Sequence, residues 1–279
     1  MICSQCGGNR WRTKIKHIQW QCKRCRYIKS MKEIPQPLPE VYEKTIKLVS
    51  IIIPTHRGRD LTKVLEAIDK STYRNVEIII VSEGKERSTQ RNIGRDKAKG
   101  EYLLFLDSDM HIAPDLIEDC LDKIQYCNGV YMREKIMTKG LFGRIRNWER
   151  QFYTGTAIDC VRFVRAKNCP RFDETMSGPE DSDWDRQIKK PKMVADTWYY
   201  HYEDVNFISY FRKKAYYVES MKRFAKKNPN DKILDFKWRC FGVFLENGKW
   251  KKFLGNPVMA VIVLGLIFIR GVIYLWKKY

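Results

Sequence analysis

Apolar runs and helical stripes alternate along the middle of the chain. Residues 48–53 are almost continuously apolar, which is typical of a strand buried on both faces of a sheet. Two similar runs cover residues 76–81 and 102–106, and the intervening segments 60–68 and 88–98 have the spacing and end signals of helices. This alternation predicts an α/β fold with a doubly wound, mostly parallel sheet. Ligands are then expected at the carboxyl ends of the strands.

After Asn206 the pattern changes to basic, aromatic-rich helices and ends in an apolar segment. We expect residues 216–256 to form basic, amphipathic, membrane-proximal helices. Residues 257–276 carry a single charge, Arg270, and 20 such residues are long enough to span a bilayer. Their uninterrupted apolar run, 258–269, is short enough for a re-entrant or interfacial segment. The segment is therefore a spanning helix, a re-entrant or interfacial segment, or a buried core helix, and the sequence leaves these three alternatives open.

The charge is concentrated at the two ends of the chain. Of 53 Lys and Arg residues, 11 lie in residues 1–50 and 16 in residues 205–279, against three and four acidic residues, whereas residues 51–204 are neutral. The 44% hydrophobic content, with few Gly and Pro, excludes a collagen-like or globally disordered chain. The basic ends suit an anionic membrane surface, phosphorylated ligands or nucleic acid. Basic residues before the apolar segment predict a membrane-associated protein with its main domain on the cytoplasmic side.

Four cysteines near the start have the spacing of a zinc site. Cys3, Cys6, Cys22 and Cys25 form C-x2-C-x15-C-x2-C, which presents four thiolates to one structural Zn²⁺. We therefore expect a zinc ribbon over residues 1–33 and a Pro-rich linker over residues 34–46. The ribbon resembles those of transposases and transcription factors, so nucleic acid is one partner that it suits. The alternative is a metal-stapled module that docks on the rest of the protein or on a partner.

Two acidic pairs are candidates for chemistry. Asp107 and Asp109 directly follow the third apolar run, where two carboxylates can hold a divalent cation against a diphosphate. Glu180 and Asp181 precede a predicted helix start near Ser182. They fit either acid–base chemistry or a favourable position in the first helical turn.

Several motifs between residues 47 and 215 together resemble family 2 glycosyltransferases. They are SIIIPTH (50–56), VEIIIVSEG (76–84), QRNIG (90–94), KGEYLLFLDSD (99–109), RFDE (171–174) and GPEDSDW (178–184), followed by His201. The resemblance implies a GT-A fold over residues 47–215. It also implies an inverting, metal-assisted transfer of a sugar from a nucleoside-diphosphate donor to a hydroxyl of a lipid-linked or surface glycan acceptor.

The resemblance implies a role for each matching residue. Donor binding falls to Pro54, Thr55, Arg57, Glu83, Arg87, Arg91 and Asp107. Asp107, Asp109 and His201 would hold Mn²⁺ or Mg²⁺, with a structural role as the alternative for His201. Asp181 would be the general base, and Glu180 would hold the acceptor hydroxyl or assist the base. The family commonly has two aspartates where this chain has Ser82 and Glu83, which leaves the base of the donor open.

Two other functions fit the same sequence. One is a polyprenyl-phosphate sugar synthase, whose phosphate acceptor needs no general base. The other, from a different class, is a nucleic-acid or protein-binding module in which the zinc ribbon carries the function and the α/β domain is an inactive scaffold.

Overall fold

The computed structural model describes residues 11–14, 19–22, 28–29, 47–202 and 206–276. The chain divides into two compact units, Met1–Thr45 and Ile46–Tyr279. In the first unit, an antiparallel sheet has β2 at its centre. Its strands are β1 (Trp11–Lys14), β2 (Gln19–Cys22) and β3 (Ile28–Lys29).

The predicted zinc ligands fall mostly outside the described residues. Cys22 is the last residue of β2. Cys3, Cys6 and Cys25 lie outside the described residues, as does the expected linker over residues 34–46. The zinc ribbon and its Zn²⁺ therefore stay predictions.

The second unit combines one sheet with helices on both of its faces. Its strands are β4 (Val49–Pro54), β5 (Val76–Val81), β6 (Tyr102–Phe105), β7 (Met110–Ile112), β8 (Gly129–Ile136), β9 (Phe163–Arg165) and β10 (Lys192–His201). Its helices are α1 (Thr62–Asp69), α2 (Arg87–Lys97), α3 (Leu116–Ile124), α4 (Gly140–Arg150), α5 (Glu180–Gln187), α6 (Phe207–Tyr216), α7 (Val218–Lys227), α8 (Val243–Leu245), α9 (Trp250–Leu254) and α10 (Pro257–Trp276). A π-helical turn, Trp238–Gly242, leads into α8.

The sheet is mixed, with the strand order β5-β4-β6-β9-β8-β10-β7. Strand β4 is parallel to β5 and β6, and β8 is parallel to β10. Strand β9 runs antiparallel to both of its neighbours, and β7 runs antiparallel to β10. The α/β class is confirmed, but the prediction of a mostly parallel sheet is wrong. The two reversed strands have three residues each, which is too short to leave a recognisable pattern in the sequence.

Alternate residues of β4 point to opposite faces of the sheet. Ile51 and Ile53 belong to a core cluster with residues of α1 and α3. Ile52 belongs to a second cluster, on the other face, with Trp184 of α5. Gly94 lets α2 approach this second face, since a Cβ there would lie 2.3 Å from Cγ2 of Ile52. The expectation of helices on both faces is confirmed.

The second predicted strand lies at the edge of the sheet. Ile78 and Ile80 of β5 are 41% and 46% exposed. Their apolar run predicts burial on both faces, but an edge strand has only one neighbour, and helices leave part of it uncovered. The expectation that this strand is buried is therefore wrong.

A carboxylate ties β4 and β5 to the turn before β6. Glu77 Oε1 accepts hydrogen bonds from the Ser50 hydroxyl and from the backbone amides of Lys99 (2.6 Å) and Gly100 (3.0 Å). Gly100 is required there because a Cβ would lie 2.7 Å from Ser50 N. Burial opposes ionisation of Glu77, but the hydrogen bonds outweigh it and lower its pKa from the usual 4.5.

We expect Glu77→Gln to lower the free energy of unfolding by about 1 kcal/mol at pH 7. Because the folded-state pKa lies below the unfolded one, the carboxylate's contribution is present above the unfolded pKa and is lost as the pH falls through the folded one. Urea unfolding of parent and variant at neutral pH and near pH 3 measures this difference, which should shrink in acid. Glu118→Gln, at an exposed carboxylate of α3, is the control. A difference that is the same at both pH values would contradict the expectation.

The apolar segment forms one helix, α10, with the predicted boundaries. Within the described residues, Pro257–Tyr274 is the helix that is long and apolar enough to cross a membrane, by length and composition alone. One side of α10 packs in a core cluster with Phe152, Phe244 and Phe253. Its single charge, Arg270, donates to both carboxylate oxygens of the fully buried Glu149 in α4, at 2.6 and 2.9 Å.

Candidate functional site

A cleft of about 220 Å³ opens at the carboxyl ends of β4 and β6. Its lining is mostly polar and consists of Pro54, Thr55, His56, Lys85, Arg87, Gln90, Asp107, Ser108, Asp109, His201 and Lys213. Six of the sequence-predicted residues are therefore brought together: Pro54, Thr55, Arg87, Asp107, Asp109 and His201. Arg57 and Glu83 are not among the lining residues. Both are exposed, and the Glu83 carboxylate lies 3.2 Å from Lys97 Nζ on α2.

Polar residues of α2 hold the loops around this cleft. The Gln90 side-chain amide donates to the carbonyls of Thr55 (2.7 Å) and Gly84 (3.1 Å), which joins the loops after β4 and β5. Asn92 Oδ1 accepts the backbone amide of Phe172, and Asn92 Nδ2 donates to the Glu174 carboxylate. The QRNIG motif is thus bound to the RFDE motif, although 80 residues separate them.

Arg91 lies between Asp107, which was predicted to bind the donor and the metal, and Asp181, the predicted general base. Its buried guanidinium donates to Asp107 Oδ1 (2.8 Å) and to Asp181 Oδ1. Arg162, next to β9, lies 3.7 Å from Asp107 Oδ2 and 3.9 Å from Asp181 Oδ2. We call Arg91, Arg162, Asp107 and Asp181 the arginine–aspartate cluster. Arg91 is not among the residues lining the cleft, and its donors are directed at these carboxylates, so its role in donor binding stays a prediction.

The cluster fixes the charge of its members. Burial opposes ionisation of Asp107, but Arg91, Arg162 and Arg87 together hold its pKa well below the usual range. Burial likewise works against the charge of Arg87, yet Asp107, Glu180 and Asp181 raise its pKa. At neutral pH the site therefore holds ionised Asp107 beside protonated arginines.

Glu180 and Asp181 are the first two residues of α5, as expected if their role is to stabilise the first helical turn. Arginines, however, bind both carboxylates. Glu180 Oε1 lies 3.3 Å from Arg87 and 3.6 Å from Arg91, while Asp181 is bound by Arg91. Burial, followed by the charge of Asp181, raises the pKa of Glu180. Its Oε2 atom is buried without a hydrogen-bond partner in the described structure. Asp181 is the more accessible of the two, with 25% of its side chain exposed.

His201 lies between two carboxylates at the end of β10. Its Nε2 is 3.3 Å from Asp109 Oδ1, and its Nδ1 is 2.6 Å from Glu134 Oε1 on β8. Glu134 is also paired with Arg150 of α4. Burial disfavours the protonated imidazole, but the hydrogen bonds to Asp109 and Glu134 raise the pKa of His201 to about 10. Glu134 thus orients the imidazole so that Nε2 faces the cleft.

Asp109 can ligate a divalent cation, and His201 can do so once the cation displaces its Nε2 proton, whereas Asp107 is engaged by arginines. Within the described ranges, no group of three or more His, Cys, Asp and Glu side chains is arranged to hold a metal ion. The expected three-ligand set of Asp107, Asp109 and His201 is therefore not assembled. Mg²⁺ is commonly bound through one or two carboxylates and substrate phosphates. One carboxylate and one imidazole beside cationic cleft walls fit such a shared site.

Several residues of this site lie outside the motifs that predicted the others. Lys85 and Lys213 line the cleft with Arg87, and these three cations suit a diphosphate. Lys213 comes from α6, outside any recognised motif, and its only signal was the basic run at 212–214. Arg162 and Glu134 were detectable only as charges within or beside apolar strands.

Sequence comparison relates part of the chain to known proteins. Residues 82–157 match the family described as Glycosyl transferase family 2. Glycosyltransferase GlyG of Streptococcus pneumoniae is 27% identical over 107 residues, covering 28% of this chain and 36% of the relative. The amylovoran biosynthesis glycosyltransferase AmsB of Erwinia amylovora is 28% identical over 112 residues, covering 37% of each chain. The chain spans less than half the length of the curated relatives that it matches.

Among solved structures, TarS of S. aureus, crystallised with UDP-GlcNAc, aligns with a TM-score of 0.48 and 16% identity. The alignment covers 80% of this chain and 81% of that chain. The expected resemblance is confirmed at the level of sequence: residues 82–157, which contain α2, the Asp107–Asp109 loop and α4, are similar to glycosyl transferase family 2.

Proposed function

We propose that this chain is an inverting glycosyltransferase that moves a sugar from a nucleoside diphosphate to an acceptor hydroxyl. The observation that carries the proposal is one cleft in which Asp109, His201 and three cations lie beside Asp107, the member of the arginine–aspartate cluster that lines it. The family 2 match across Asp107 and Asp109 supports it. The acceptor would be a lipid-linked or surface glycan, reached by a membrane-associated enzyme on the cytoplasmic side.

The cleft would bind the donor through its diphosphate. Lys85, Arg87 and Lys213 provide positive charge along one wall, while Pro54 and Thr55 form the strand end beside the nucleoside. Asp109 and His201 would hold Mn²⁺ or Mg²⁺, which neutralises charge on the departing diphosphate when bound. Glu83 lies outside the lining of the cleft and pairs with Lys97, so its role in recognition of the base stays a prediction.

Asp181 would act as the general base in a single displacement. Its carboxylate takes the proton of the acceptor hydroxyl while the hydroxyl oxygen bonds to the anomeric carbon. The bond from that carbon to the diphosphate breaks on the opposite face, so the anomeric configuration inverts. Arg91 holds Asp181 Oδ1, so Oδ2, which lies 3.9 Å from Arg162, would take the acceptor's proton. Glu180 would support the charge balance of Arg87 and Arg91.

The first test is release of nucleoside diphosphate from UDP- and GDP-sugars, with Mn²⁺ or Mg²⁺ and a lipid extract. One donor should be turned over in a metal-dependent manner. An absence of both turnover and metal-dependent nucleotide binding would reject the proposal in favour of a binding role for residues 1–33.

Asp109→Asn should weaken metal-dependent donor binding by about 10- to 100-fold, because it removes the charged cation ligand at the cleft. Titration calorimetry with the donor, with and without Mn²⁺, measures the change. Asp96→Asn, at an exposed aspartate of α2 paired with Arg171, is the matched control. Equal metal dependence in the parent and Asp109→Asn would remove Asp109 from the cation site.

A further inference from the structure

The outward face of α10 is apolar along its whole length. Val258, Val261 and Phe268 are 68%, 70% and 64% exposed, and Gly265 and Val272 continue the same stripe. The spacing of these five residues, alternately three and four, places them on one side of the helix. A helix that packs on a water-soluble domain normally carries polar residues on its outer side. This stripe therefore needs a cover that the chain itself does not provide within the described residues.

The opposite face of α10 is fixed to the α/β unit. Ala260, Val263 and Ile267 are buried in the cluster that contains Phe152, Phe244 and Phe253. Arg270, on the same side, forms its two-bond ion pair with the buried Glu149. A helix crossing a bilayer would have to leave this cluster and separate Arg270 from Glu149. Burying either charge alone in an apolar environment is strongly unfavourable.

The surroundings of the stripe suit a membrane surface. In α9, Trp250 and Leu254 are exposed beside the exposed Lys251 and Lys252, and Phe241 and Leu245 are exposed just before them. Aromatic and basic side chains at the edge of an apolar patch are typical of the bilayer interface. The 16 basic against four acidic residues of the segment 205–279 complement anionic headgroups. Two copies of the same basic face would repel each other.

We infer that α8, α9 and α10 form a monotopic membrane-docking surface, in which α10 lies in the plane of an anionic bilayer and does not cross it. The apolar stripe enters the headgroup boundary, and Lys251 and Lys252 contact lipid phosphates. The Arg270–Glu149 pair holds the helix against α4 on the protein side. This inference does not depend on glycosyl transfer, because it concerns binding to lipid alone.

Vesicle sedimentation of the full chain tests the surface. Vesicles of phosphatidylcholine with about one-third phosphatidylglycerol should bind the protein more tightly than phosphatidylcholine alone, with a dependence on salt. Phe268→Glu should weaken binding by about tenfold or more. Tyr126→Glu, at an exposed aromatic residue outside this surface, is the matched control and should bind like the parent. Unchanged binding of Phe268→Glu would overturn the inference. So would lipid-independent dimers that Phe268→Glu dissociates, since a second copy would then be the cover.

Depth measurements distinguish the in-plane helix from a spanning one. An environment-sensitive fluorophore is attached to the variants Val258→Cys and Val272→Cys, and brominated lipids quench its fluorescence according to its depth in the bilayer. The parent protein, labelled in the same way, gives the background signal from the native cysteines. Fourteen residues correspond to about 21 Å along a helix. Equal, shallow depths at the two positions support the in-plane arrangement, whereas depths that differ by about 20 Å would establish a spanning helix and overturn it.

Discussion

Asp181→Asn will lower transfer to a hydroxyl acceptor by about 10³-fold, the scale on which a positioned general base contributes. The substitution keeps the shape of the side chain and a carbonyl oxygen for Arg91, but it removes the group that accepts the proton. Donor affinity should change little, since Asp181 belongs to the arginine–aspartate cluster but is not among the residues lining the cleft. Initial rates and donor binding, measured in parallel for Asp181→Asn and Asp173→Asn, separate these effects. Asp173 is also on the RFDE-to-α5 segment but is bound by Lys227.

Asp181→Asn also distinguishes a hydroxyl acceptor from a phosphate acceptor. A phosphate acceptor enters already ionised, so a polyprenyl-phosphate sugar synthase would keep most of its rate in Asp181→Asn. Retained turnover with a lipid phosphate would thus move the assignment to that alternative. Loss of donor binding together with the rate would instead show that Asp181 maintains the cleft through Arg91.

The parts of the fold that were predictable are those with long, regular patterns. Strands β4, β5 and β6 and helix α10 follow from predominantly apolar runs, and the polar residues after β6 were identifiable from their position alone. Strands β7 and β9 were not, because three residues carry no periodicity. Their reversed direction depends on long-range pairing, such as Leu104 with Phe163. The exposure of Ile78 and Ile80 could not be predicted for the same reason, because the order of strands in a sheet depends on long-range pairing.

In the site, the identity of several residues was predictable from the sequence, but the contacts between them were not. The resemblance to family 2 glycosyltransferases indicated Asp107, Asp109, Asp181 and Arg91 as functional residues. It did not indicate that Arg91 binds two of the others, because that contact joins positions 16 and 90 residues apart. Arg162 and Glu134 carried no motif at all. Their roles depend on which strands become neighbours, with β9 inserted between β6 and β8.

The second large effect is expected from Arg91→Met, which should lower the free energy of unfolding by about 3–5 kcal/mol. Arg91 is buried, and methionine of similar length would leave Asp107 and Glu180 without their central counter-charge. Arg91→Lys keeps the charge but cannot bridge Asp107 and Asp181 with a planar fork, so its loss should be smaller. Chemical denaturation at neutral pH measures all three proteins.

Lys97→Met is the control for removing a cation from the same helix, since the Lys97–Glu83 pair is exposed and should contribute less than about 1 kcal/mol. The double variant Arg91→Met with Asp181→Asn should recover part of the loss, because one uncompensated carboxylate is then removed. If Arg91 instead bound the donor directly, Arg91→Met would be as stable as Lys97→Met and would lose donor affinity alone. The order of stabilities among these variants therefore tests whether the guanidinium holds the Asp107 and Asp181 carboxylates or contacts the nucleotide within the cleft.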